Sequence, residues 1–355
     1  MRKRSRRSFL AGAGALGVGS LAGCMGFELQ SGNQEPPLVK DRPDAVYRPT
    51  HTEGMGMAGM ESGAGYSCAL TYSFPHRFWN ITGNETSIVE AGDDSLHLMP
   101  IVWHSESGII PSDVNPSVDV TRNGDSVISG LNPWTMLSQQ MGFHFGDNVK
   151  LPEQGEYTVT VSVGEGGDRR TGELTEAGPA EFEFALDYQL SELNELPFET
   201  IPEARRGTMG AVEPMEMEMV PLMQAPTEDD FPGTVRGTTE SGDAEILVTT
   251  LDDAARFGED TEQQYLAVSP RTPYNRYPLP LMSLSGTLTR DGETVFEGYL
   301  NEWLDAELGI HYGALVDRVE AGDELTITVD SPPQALRHEG YETAFLNMPD
   351  ATLTL

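Results

Sequence analysis

The sequence predicts an all-β fold, two immunoglobulin-like β-sandwiches in tandem, on three observations. Apolar and polar residues alternate over short segments such as "GEYTVTVSV" and "AEFEFALDY" in the first half and "AEILVTTL" and "DELTITV" in the second. That is the period of a strand with one buried face. Turn dipeptides separate these segments, among them Asn123-Gly124 and Asp291-Gly292, residues that tolerate the positive φ of a tight hairpin. Finally, the second half repeats the first in order. "VDVTRNGDSVISG" at 118–130 matches "GTLTRDGETVFEG" at 286–298, "GFHFG" at 142–146 matches "GIHYG" at 309–313, and the same offset sets His97-Leu98 opposite Tyr265-Leu266.

Taken in chain order, the N-terminus carries Arg6-Arg7 before Ser-Phe-Leu and a short, glycine-rich apolar run, then Leu21-Ala22-Gly23-Cys24. The run is too short to span a bilayer permanently. The pattern resembles a twin-arginine lipoprotein signal peptide over 1–23, with lipid on the Cys24 thiol; an uncleaved apolar anchor is the alternative. Either way the bulk of the chain is expected outside the cell at the membrane face. Residues 24–60, rich in Met, Gly and Pro, read as a tether, 61–190 as the first sandwich, 191–235 as a Met-rich linker and 236–355 as the second. The best helical candidate is "LNEWLDAEL".

The chain has 56 acidic and 22 basic residues, a net charge of -34, and lysine only at Lys3, Lys40 and Lys150. Such a surface suits a protein kept soluble in concentrated salt, a haloarchaeal composition, and it excludes nucleic-acid binding, which needs a basic face. With Cys24 lipidated, Cys68 has no partner within the chain, so no disulfide framework exists. Asn80 and Asn84 head glycosylation tripeptides.

Candidate chemistry concentrates in histidine and methionine. In "LHLMPIVWH" alternation puts His97 and Met99 on one face, with His104 on the other unless Pro100 marks a bulge. "WTMLSQQMGFHFG" brings Met136, Met141 and His144 into one loop before a strand. Imidazole and thioether are ligands for copper, and imidazole for iron or zinc. The alternative is that these residues only fill a core. "GMGMAGM" and "MEMEM" add spaced methionines that resemble copper-collecting motifs. His76, in "YSFPHRFW", reads as structural, and Trp134 and Trp303 as one repeated core contact.

"MLSQQMGFHFGDNVKLPEQGEYTVTV" and "HLMPIVWH" resemble the Met-rich loop, "HYG" turn and "HLEADIHA" strand of the periplasmic iron-transport protein family, which includes the treponemal 34-kDa antigen and the Campylobacter P19 protein. The resemblance covers about residues 95–190. It implies an exported immunoglobulin-like sandwich that takes part in ferrous iron uptake and binds copper or another divalent metal. It further implies that His97, His144 and Met136 are ligands. Met99 stands where the family has glutamate, and the family histidine that follows an arginine is missing near Arg169-Arg170. The second repeat keeps His311 in the turn and supplies Arg337-His338, but has Tyr265 for the first histidine. Neither repeat alone holds a full ligand set, and His311 with His338 is the weaker candidate site.

No nucleophile elbow, phosphate-cradling loop, His-Glu-x-x-His helix or Cys-x-x-Cys pair occurs, so the sequence predicts a binding protein, not an enzyme. The leading expectation is a lipid-anchored surface protein holding a copper or iron ion and passing it to a membrane iron permease. A structural or protein-interaction lipoprotein is the competing expectation, a cupredoxin-like redox protein a third; a homodimer is compatible with all of them. Replacing Cys24 with Ser abolishes lipid attachment and releases the protein from the membrane fraction, as metabolic lipid labelling and fractionation of cells will show; an unchanged membrane-bound pool would refute the lipobox reading.

Overall fold

The computed structural model describes residues 36–258 and 262–355. The signal peptide and Cys24 lie outside the described residues. The strands are β1 (His51–Glu53), β2 (Gly56–Gly63), β3 (Tyr66–Ser73), β4 (Phe78–Thr82), β5 (Glu85–Val89), β6 (Leu96–His104), β7 (Ser117–Arg122), β8 (Asp125–Leu131), β9 (Trp134–Ser138), β10 (Gly142–Val149), β11 (Gly155–Val163), β12 (Ala180–Tyr188) and β13 (Phe198–Thr200). The second half adds β14 (Thr234–Ser241), β15 (Ala244–Leu251), β16 (Gln264–Arg271), β17 (Ser283–Arg290), β18 (Glu293–Asp305), β19 (Gly309–Val316), β20 (Glu324–Ser331), β21 (Leu336–Arg337) and β22 (Ala351–Thr354). Among the described residues one short α-helix, α1 (Leu190–Leu193), follows β12. The fold is all-β, as the alternation predicts.

The same strand order recurs in the two halves. In the first, β2-β3-β6-β10-β9 form one layer and β12-β11-β7-β8 the other; in the second, β14-β15-β16-β19-β18 continue directly into β18-β17-β20-β22. The difference has a covalent cause. Pro133 lies between β8 and β9 and cannot donate to a ladder, so the first half breaks into two strands where the second runs through as the 13-residue β18. Both hairpins predicted from dipeptides form: Asn123 and Gly124 have φ of 52° and 87°, Asp291 and Gly292 of 51° and 83°, the paired positive values of a type I′ turn.

Pro100 makes no bulge. The β3–β6 register runs unbroken from Tyr66↔His104 to Ser73↔His97, and β10 pairs with β6 only at Leu96–Leu98, so no neighbour asks Pro100 for a donor.

The halves share structure instead of being strung on a linker. β21, from the second half, lies in the first half's sheet between β9 and β4, with Leu336 opposite Met136 and Arg337 opposite Leu137 in parallel. The first half reciprocates: Arg170 forms a parallel bridge with Leu304, and Thr171 donates its N–H to the Leu304 carbonyl at 3.1 Å. One core cluster accordingly includes Leu137, Phe143 and Phe145 with Tyr277, Leu304 and Phe345.

Several sequence expectations give way. The stretch expected as tether contains β1 and most of β2, because the pairing of β2 with β3 satisfies its backbone. The expected linker contributes β13, paired with β1. "LNEWLDAEL" completes β18 and its turn, its helical period overridden by the ladder to β19. Trp134 is 48 % exposed and is no core counterpart of Trp303, which faces His311 in register as Met136 faces His144.

The reciprocal crossing is tied by Asp305, a buried carboxylate. It accepts from Thr171 Oγ1 at 2.5 Å and from the N–H groups of Glu307 and Leu308 at 2.9 Å, and it pairs with Arg256 at 2.9 Å. Hydrogen bonds to charged groups are each worth roughly 1.5 to 3 kcal/mol. Asp305→Ala therefore lowers unfolding stability by about 2 to 3 kcal/mol, measurable as a reduced urea midpoint at fixed salt; a variant as stable as the parent would show the tie to be dispensable.

Candidate metal centre

Four histidines converge where β21 enters the first sheet. His97 sits on β6, His144 on β10, His338 directly after β21, and His76 in the segment that Pro75 turns out of β3. Ligand nitrogens of His76, His97 and His338 all lie within 4.8 Å of one another. The ring centroids of His76 and His97 are 4.2 Å apart, those of His76 and His338 4.8 Å, and those of His144 and His338 5.2 Å. Each side chain is held by backbone regularity: His97 pairs with Asn148 across β6–β10, and His144 with Met136 across β10–β9.

Hydrogen bonds fix the tautomers. Asn148 donates from Nδ2 to the His76 carbonyl at 2.7 Å, which turns its acceptor oxygen toward His97 Nδ1 at 3.0 Å. An amide oxygen only accepts, so His97 carries its proton on Nδ1 and presents a lone pair at Nε2. His144 donates from Nδ1 to the Gly142 carbonyl at 3.0 Å, with the same result. His76 Nδ1 is directed to the Phe74 carbonyl at 3.0 Å. The Nε2 atoms of His97, His144 and His338 are buried without a hydrogen-bond partner. Buried polar atoms are nearly always satisfied, so the lone pairs of His97 and His144, with the partnerless Nε2 of His338 beside them, fit a cation as their missing partner. Nitrogens bound to one ion at about 2.1 Å stand ~3.4 Å apart, a spacing that lies inside the 4.8 Å limit shared by His76, His97 and His338.

Electrostatics support the same use. Burial drives the pKa values of His97 and His338 well below the ordinary histidine value, with neighbouring imidazoles adding to the effect. Burial takes His144 down to about 4. Neutral imidazole is the ligating form. Glu53 lies on the approach: burial works to raise its pKa, but bonds and charge from His51 and His76 prevail and hold it at about 2. An ionised carboxylate therefore faces the cluster.

The sequence candidates distribute as follows. His97, His144 and Met136 come together; Met136 is fully buried, packed with Phe78 and Leu336. Met99 is buried beside His97, and Met141, half-buried, lines the adjoining cavity with Met99, His76 and His338. His338, expected to act with His311, instead joins the first-half cluster, because β21 crosses. His76, expected to be structural, belongs to the cluster too; Pro75, which ends the ladder of β3, is the only sequence signal for it.

His311 stands elsewhere, in a filled copy of the same arrangement. Tyr265, at the place of His97, puts its hydroxyl 3.0 Å from His311 Nε2 and stacks on Phe257 with centroids 3.7 Å apart and planes 7° apart. Trp303 takes the place of Met136, and Thr171, bonded to Asp305, that of His338. Where the first half presents lone pairs, the second is an aromatic core. Cys68 is buried, its thiol pKa pushed up by burial, and is no thiolate ligand.

Residues 229–354 match a family model described as "Domain of unknown function (DUF7350)". No curated protein matches the chain. Among solved structures, the chain is similar to a copper-bound variant of FetP from uropathogenic Escherichia coli strain F11, with 17% identity and a TM-score of 0.31 over 38% of this chain and 97% of that one. It is also similar to a copper-bound variant of Campylobacter jejuni P19, with 15% identity and a TM-score of 0.31 over 38% of this chain and 98% of that one. Among the described residues no helix is long and apolar enough to cross a membrane.

Gly146 sets the clearance of the centre. A Cβ there would stand 2.5 Å from His97 Nε2 and 3.1 Å from Met99 Cγ. Gly146→Ala displaces the His97 ring and lowers transition-metal affinity by roughly 10- to 100-fold, the range for disturbed ligand orientation. Gly313→Ala, which crowds Tyr265 in the other half, leaves that affinity unchanged. Competition titrations against a chromogenic chelator read both, and equal losses in the two variants would remove the assignment to the first half.

Proposed function

We propose that this chain is an extracytoplasmic metal-binding protein that holds one copper or iron ion within the cluster of His76, His97, His144 and His338, with Met136 at the centre's margin. The observation that carries this reading is the set of buried, partnerless Nε2 atoms on three neutral imidazoles. Copper suits the set best, since imidazole with nearby thioether is its ligand field. A bound ion would supply Lewis acidity or a one-electron couple. The chain's own part is to orient the rings through Asn148 and the Gly142 carbonyl, exclude water, and attract cations through Glu53.

The sequence adds the setting: a lipid on Cys24 would tether the protein at the outer membrane face, where it would support metal uptake by delivering the ion to a permease. We further propose that the halves derive from one duplicated sandwich, supported by the recurring strand order, and that the second half now serves a structural role, supported by the Tyr265–His311 bond that occupies its turn histidine.

The mature protein, exposed separately to Cu(II), Fe(II), Mn(II) and Zn(II) and then desalted, retains close to one equivalent of its metal per chain by elemental analysis. His144→Ala and His338→Ala reduce that occupancy severely, whereas His311→Ala does not. Retention near zero for all four metals would sink the proposal, and an equal effect of His311→Ala would show that the second half binds as well.

A further inference from the structure

Of the two methionine clusters, only part faces the histidines. Met57, Met60 and Met219 are exposed, but Met55 and Met215, one from each cluster, line the cavity of about 90 Å³ beside His76 and His338, together with Met141 and Met99. Met141 and Met215 also wall a smaller cleft that reaches His144. Thioether side chains from three separate segments thus line the cavity that His76 and His338 also line.

These segments are pinned together. The Gln140 side chain accepts from the Glu53 N–H at 3.1 Å and donates to the Glu53 carbonyl at 3.3 Å, holding the strand that leads to Met55. The Gln140 carbonyl accepts from the Met215 N–H at 2.8 Å. Gln139 Oε1 accepts from the Val212 N–H at 2.9 Å, and Ser138 Oγ accepts from the Met141 N–H at 3.0 Å. Backbone fixed this closely positions three flexible side chains at one mouth. An apolar cavity wall alone does not require it: leucine would fill the space at lower cost in side-chain freedom.

We propose that Met55, Met141 and Met215, backed by Met99, form a separate thioether subsite for a soft monovalent cation, Cu(I), at the mouth of the histidine centre. Thioether selects Cu(I) over harder divalent ions, and the Glu53 carboxylate lines the same wall without supplying a soft ligand. The subsite builds on the histidine reading, for which it is the access route, but it is defined by its own ligands.

Ag(I), a redox-inert stand-in for Cu(I), tests it. The mature protein is first loaded with Cu(II), monitored by its EPR signal, then titrated with Ag(I) in a chloride-free nitrate medium by calorimetry. The parent binds one Ag(I) per chain with the Cu(II) signal unchanged. The variant M55L/M141L/M215L loses at least tenfold in Ag(I) affinity yet keeps its Cu(II) signal, while M57L/M60L/M219L behaves as the parent. Ag(I) binding that survives the first variant, or is absent in the parent, overturns the subsite. A missing Cu(II) signal with intact, methionine-dependent Ag(I) binding overturns the histidine centre and leaves the subsite standing.

Discussion

The parallel insertion of Leu336 and Arg337 between β9 and β4 is the contact on which the rest of the arrangement depends. Two residues suffice because both neighbours accept them in register: Leu336 faces Met136, and Arg337 faces Leu137 on one side and Trp79 on the other. The next residue is His338, whose N–H is held by the Leu137 carbonyl at 3.1 Å. Beyond it Glu339 accepts from Thr50 Oγ1 at 2.7 Å and Gly340 from the Tyr47 N–H at 3.1 Å, so the crossing segment is tied to the start of the fold. Arg337 itself is buried, its guanidinium turned to the Pro333 and Ala335 carbonyls. Burial lowers its pKa to about 9. A cation with carbonyls but no carboxylate is costly to remove from water, and that cost is borne where it locks His338 in position.

Why the two halves diverge follows from the same crossing. In the first half the crossing arm ends in histidine and finds His97 and His144, whose Nε2 atoms are buried without a hydrogen-bond partner; in the second it ends in Thr171, which needs only a hydrogen bond and finds Asp305. Once the arm offers no ligand, a lone imidazole in the turn leaves a buried Nε2 to satisfy, and Tyr265 does so with one hydroxyl while Phe257 and Trp303 fill the space around it. His311 thus keeps the Nδ1–Gly309 carbonyl bond, at 3.1 Å, that His144 makes with Gly142. The turn histidine has a folding role in both halves and a spare nitrogen in only one.

The alternation, the Asn-Gly and Asp-Gly turns and the internal repeat made the strands legible in the sequence, because those signals act within a few residues. That His97, His144 and Met136 lie together is legible from two motifs and the resemblance they carry. Their partners are not. His338 lies some 240 residues from His97 in the chain, and no local pattern tells a strand of two residues that it will pair in the other half's sheet. His76 is hidden for a related reason: its aromatic neighbours suggest packing, whereas the ladder of β3 ends before Pro75 and the ring lies with His97 and His338. The division of the candidate ligands between the repeats thus takes its meaning from topology.

That dependence bears on how the centre can work. A site whose ligands all sit on one hairpin can form as soon as the hairpin does, but this one requires both halves to be folded and docked. Non-local pairing of this kind is slow to form, since chain closure precedes the contacts that reward it. On the proposed reading, metal capture before docking would be disfavoured, because the first half alone lacks His338, which follows Arg337. An ion that binds the completed set in turn favours the docked arrangement over the open one by mass action. If the proposed centre binds its ion, metal occupancy and the integrity of the interface between the halves would be two readings of one equilibrium, with β21 as the element that both of them bias.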